Sequence, residues 1–77
     1  MELLGKIEVN GEILEVYMPT VKDLVRNNIN FEKERGIEFQ VHLIAIATKQ
    51  LIVEVEEWPI NDFMKAFSLL SKAMEIL

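Results

Sequence analysis

A proline at position 19 divides the chain into two kinds of periodicity. The residues before it alternate polar and apolar as a β-hairpin does, and most of those after it run at helical spacing. Proline fixes φ and has no N–H to give to a sheet, so it suits the end of a strand. Thr20 then stands where it can cap a helix, its hydroxyl accepting from an N–H of the first turn. Asp23, three residues on, occupies the place of the acid in a capping box. Residues 19–24 therefore predict a junction between a sheet half (residues 3–18) and a helical half (residues 20–77). The expected fold class is α+β: an N-terminal β-hairpin followed by about three α-helices.

On the sheet side, Asn10-Gly11 is the strongest short hairpin signal, because a type I′ turn needs φ > 0 at both central positions. A tight turn there fixes the register, with Val9 opposite Glu12, Ile7 opposite Leu14 and Lys6 opposite Glu15. One face then carries Leu3, Ile7, Val9, Leu14, Val16 and Met18. The other carries Lys6, Glu8, Ile13, Glu15 and Tyr17. An isolated hairpin is marginal in water, so the apolar face must lie on the helices.

On the helical side, Val21, Leu24 and Val25 predict a first helix over residues 21–30, with Val21 and Leu24 clamping the two halves together. Residues 31–36 are polar apart from Phe31, and Gly36 punctuates them. Residues 37–49 are apolar nearly all round, which predicts a central helix. Ile37, Val41, Ile44 and Thr48 line one of its faces. Residues 51–58 are ambiguous: the alternation Val53-Glu54-Val55-Glu56 favours a strand, while a short helical turn is also possible. Pro59 ends that piece, and Asn61 is a natural N-cap for a last helix from Asp62 to about Glu75. Along this helix Phe63, Phe67, Leu70, Met74 and Leu77 form a seam, with Ala66, Leu69, Ala73 and Ile76 as a second stripe beside it.

Composition narrows the chemistry. Seventy-seven residues make one small domain, yet 51% of them are hydrophobic. So small a body has much surface per volume, so some of this apolar material should be covered by another chain. Two stripes on the end helix exceed what the core needs. The candidate partner-binding residues are therefore Trp58, Phe63, Phe67, Leu70 and Met74. The net charge of −5 and the lack of a Lys/Arg stripe remove the electrostatic footprint of nucleic-acid binding. The chain has no cysteine, hence no disulfide and no thiolate site, which suits a reducing compartment. Its N-terminus lacks the basic region and long apolar run of a signal peptide, and no apolar stretch is long enough to span a bilayer. His42 is a lone histidine without a second ligand, and the glutamates at 54, 56 and 57 with Asp62 lack the spacing of a calcium loop. They read as a solvated face. No catalytic, cofactor-binding or metal-binding residue is expected.

The order of these pieces resembles a known family. A hairpin leads into Pro19-Thr20-Val21-Lys22-Asp23-Leu24, then a polar stretch. Leu43-Ile44-Ala45 with Thr48, the acidic Val55-Glu56-Glu57-Trp58-Pro59 and finally Asn61-Asp62-Phe63 follow. This pattern, from about residue 7 to residue 74, is similar to the tail assembly chaperones of contractile-tailed phages and Mu-like prophages. Lys49 stands where that family often has glycine, Trp58 where leucine is usual, and residues 51–53 are more strand-like than the family pattern. The resemblance implies a short helical turn over residues 53–58. It also implies a non-enzymatic protein of the host cytoplasm, absent from the mature virion. Such a protein binds and solubilises the largely helical tape measure protein during tail assembly and needs no cofactor. Self-association is a further expectation. The alternative on the residues alone is a small homo-oligomerising adaptor or regulatory module unrelated to tails.

Overall fold

A computed structural model describes residues 2–27 and 36–74. The chain runs β1 (Leu3–Val9), β2 (Glu12–Tyr17), α1 (Val21–Arg26), α2 (Ile37–Thr48), α3 (Ile52–Glu56) and α4 (Ile60–Met74). This is the expected α+β arrangement, an antiparallel hairpin followed by four helices. The expectations for Asn28 to Arg35, for Glu75, Ile76 and Leu77, and for the end of the first helix at Asn30 lie outside the described residues.

The Asn-Gly turn forms as its chemistry dictates, with Asn10 at φ 51° and Gly11 at φ 85°. The register follows: Val9 pairs with Glu12, Ile7 with Leu14 and Lys6 with Glu15. The regularity breaks between Leu3 and Gly5, where Leu3 pairs with Tyr17 and Gly5 with Val16. An irregularity of this kind reverses the side-chain alternation beyond it. Leu4, not the expected Leu3, therefore packs against the core, and Leu3 is left exposed.

At the junction the capping box is complete. The Thr20 hydroxyl accepts from the Asp23 N–H at 3.2 Å, and the Asp23 carboxylate accepts from the Thr20 N–H at 2.9 Å. Pro19 is buried, and the one α1 side chain that reaches the core is Leu24. Val21 is 78% exposed, so the expected clamp of Val21 with Leu24 reduces to Leu24 alone. Helix α1 has no fully buried side chain, and Leu24 is the one packed against the core.

Helix α2 is the axle of the fold, apolar nearly all round as expected, with Glu38, Gln40 and His42 as its polar interruptions. Phe39, Leu43, Ile44, Ala45, Ala47 and Thr48 are buried along it. Ile37, expected on the buried face, sits on the first turn and is exposed. The Thr48 hydroxyl donates to the Ile44 carbonyl at 2.7 Å, which satisfies it inside the core. The helix ends in a Schellman arrangement: Gln50 N–H donates to the Ala45 carbonyl and Lys49 N–H to that of Ile46. Lys49 adopts the left-handed conformation this requires, at φ 57°.

Residues 52–56 are helical. Their strand-like composition yields to local hydrogen bonds: the Glu54 carboxylate accepts from the Leu51 N–H at 2.9 Å, and the Leu51 carbonyl accepts from Glu54 and Val55. Helix α4 begins two residues earlier than expected. The Pro59 carbonyl accepts from both Asp62 and Phe63, so Pro59 holds the cap position and Asn61 lies inside the first turn. The hairpin's inner face, with Val16 fully buried, rests on α2 and α4. The interior joins Val16 to Leu43 and Ile44 of α2, Val55 of α3, and Phe63, Ala66 and Leu70 of α4.

Candidate partner-binding surface

The pattern of α4 sets which residues a partner could reach. Its strong amphipathic periodicity turns the Phe63–Leu70 seam inward, because that stripe matches the apolar face of α2. Phe63 is 5% exposed and Leu70 fully buried, so both belong to the core and not to a free face. Phe67, Met74 and Trp58 pack against the edge of the core and remain partly accessible. The second stripe is divided too: Ala66 is buried, Leu69 is half-buried against the core, and Ala73 is exposed. The five candidate residues therefore do not make one contiguous surface. Trp58 and Phe63 meet in one groove; Phe63 and Phe67 border a second.

The exposed apolar material lies elsewhere than the seam. Ile60 and Met64, one turn apart on the outer face of α4, are 62% and 60% exposed. Leu51, Ile52 and Val53 are exposed at the start of α3, and Ile37 at the start of α2. The groove beside Trp58 gathers three of these. It is a depression of about 510 Å³ between α2, α3 and the start of α4, walled by Ile37, Val41, Ile52, Trp58 and Ile60. Buried Val55 and Phe63 contribute its floor. Its charged lining among the described residues is Glu38 and Glu56, with His42 the remaining polar ring.

The sequence reading missed Ile37, Ile52 and Ile60 as surface residues. Each stands within two residues of a helix start, where the apolar stripe has not yet turned onto the core; that position was the available signal. Trp58 also borders a third depression, between the hairpin tip and α3, lined by Val9, Leu14, Gln50 and Glu54 among others.

Among the described residues no group of three or more His, Asp or Glu stands where it could hold a metal ion. Among the described residues two titrating groups depart from their ordinary values, both at partly exposed sites. The hydrogen bond from the Thr20 backbone, then that from its hydroxyl, hold the Asp23 carboxyl below the usual carboxylate value. The hydrogen bond to Glu15, at 2.8 Å, pushes the Tyr17 hydroxyl up. Both are local structural contacts. No described helix is long and apolar enough to cross a membrane. Comparison of the chain with protein-family models, curated proteins and solved structures found no match.

Proposed function

We propose that this chain is a phage or prophage tail assembly chaperone. It binds the tape measure protein and keeps it soluble until the tail tube polymerises around it, without catalysis and without a cofactor. The observation that carries this reading is the order of motifs from the hairpin through residues 19–24 to Asn61-Asp62-Phe63. The exposed apolar helix starts give it a physical means. A long helical client with apolar stripes aggregates alone, and a small protein of net charge −5 that covers those stripes adds both burial and repulsion between coated clients. Each contact must be weak enough to release, so affinity comes from repetition along the client. The chain acts in the cytoplasm of the bacterial host and leaves before the virion is complete.

Co-expression with a tape measure protein encoded in the same genome tests this. The expected result is a soluble client that co-purifies with this chain. A client that stays insoluble and does not co-purify overturns the reading, as does a genome in which no tail-tube or tape measure gene neighbours this one.

A further inference from the structure

We propose that the groove between α2 and α3 receives an amphipathic helix with a basic flank, supplied by a different protein. The partner's apolar stripe sits on Ile37, Ile52, Trp58 and Ile60, and its lysines or arginines face Glu38 and Glu56. This rests on the reading of the chain as a client-binding protein and names the chemistry of the client segment.

The walls of the groove are apolar side chains that the fold leaves in water: Ile37 is 57% exposed, Ile52 42% and Ile60 62%. Its walls come from α2, α3 and α4 and from Trp58 in the turn between α3 and α4, and no strand residue lines it, so a partner gains no main-chain ladder there and must bring side chains. An α-helix presents such a row at i, i+3, i+4 and i+7.

Charge selects among helices. The charged lining of the groove is Glu38 and Glu56, without a described lysine or arginine, while Glu54 and Glu57 line the depression on the other side of α3. A second copy related by a two-fold axis through the groove would bring Glu38 and Glu56 of one chain toward the same carboxylates of the other. Like charges brought together at an interface are penalised, whereas a basic flank is attracted and steered. The occupant is therefore a basic partner and not the same groove of another copy.

Trp58 is the sole tryptophan and lines both the groove and the depression at the hairpin tip, so its emission reports binding, and a substitution at Ile52, which lines only the groove of these two, assigns the signal. The probe is a synthetic helix of about 18 residues, long enough to hold its structure, with leucines at i, i+3, i+4 and i+7 and lysines elsewhere. A matched peptide with glutamates in place of lysines is the control. The lysine peptide is expected to shift Trp58 emission to the blue and to bind about tenfold or more tightly than the glutamate peptide. Glu38→Lys with Glu56→Lys should reverse that order, and Ile52→Asp should abolish binding with the circular dichroism spectrum unchanged. Three outcomes overturn the proposal: Trp58 responds to neither peptide, the preference survives the charge reversal, or self-association of the free chain already shields Trp58. Peptide binding without tape-measure co-purification sinks the functional reading and leaves the groove standing; the opposite result does the reverse.

Discussion

A Cβ built on Gly5 would lie 3.0 Å from Cδ2 of Leu69. Helix α4 thus rests on β1 at the one strand position that has no side chain, and Leu69 occupies the space. The obstructing atom is the far end of a flexible side chain, so a methyl group can be accommodated by a small shift of Leu69. Gly5→Ala should change stability by less than about 1 kcal/mol, whereas the branched Gly5→Val should cost about 1–3 kcal/mol by overpacking. Urea unfolding of the two variants measures this; equal, negligible effects would show that α4 does not press on β1 here.

Helix α4 has two sides that truncation separates. Leu70 is fully buried in the interior, and Leu70→Ala should destabilise the fold by about 2–5 kcal/mol. Met64, one turn from Ile60 on the outer face, is 60% exposed, and Met64→Ala should stay within about 0.5 kcal/mol. Chemical denaturation of both variants checks the orientation of the helix, and similar costs at the two sites would contradict it.

The capping box at the junction should confer a pH dependence of known sign. Asp23 titrates below its ordinary value because Thr20 donates to its carboxylate from the backbone and the hydroxyl. A depressed folded value means that the contribution is fully present above the unfolded value and is lost as the pH falls through the folded one. Thermal melts taken from neutral to strongly acid pH should show an acid loss of stability that is smaller in Asp23→Asn. An NMR titration of Asp23 supplies the direct check. Thr20→Ala, which removes the cap at every pH, should cost about 1 kcal/mol.

Lys49 sits in a left-handed conformation that favours glycine, yet its Nζ lies 4.6 Å from the centroid of the Tyr17 ring. The two effects oppose each other in Lys49→Gly. Relief of the backbone contributes about 1 kcal/mol, and loss of the cation–ring contact offsets part of it. The gain should therefore be larger when Tyr17 is already leucine. A double-mutant cycle reads the coupling, and no coupling would mean that the contact contributes nothing in solution.

What the sequence made legible was what short-range chemistry decides. Asn10-Gly11 imposes its own turn and hence a register; Thr20 and Asp23 need only each other; the length, the alanines and the nearly all-round apolar character of residues 37–48 favour a central helix over a strand. Elsewhere two local signals competed. Asn61 is a good cap by type, but Pro59 cannot donate an N–H and sits comfortably where a helix has not yet required one. Leu3 and Leu4 differ only in register, and the irregularity that selects Leu4 lies where Gly5 lets α4 approach. The candidate surface was least legible. The seam of α4 and the isoleucines at helix starts are equally apolar, and which of them meets the core depends on packing between distant elements.

Helix α3 has five residues, and Val55, 2% exposed, is the one among them buried in the interior. A helix so short has no independent stability. Its conformation is lent by that one anchor, by the Glu54 cap and by Pro59 behind it. Freed from the anchor, Leu51-Ile52-Val53-Glu54-Val55 would regain its preference for extended backbone, as an apolar segment able to stack with its like. The burial of Val55 thereby does more than fill space. It keeps this segment helical, which guards against cross-β growth.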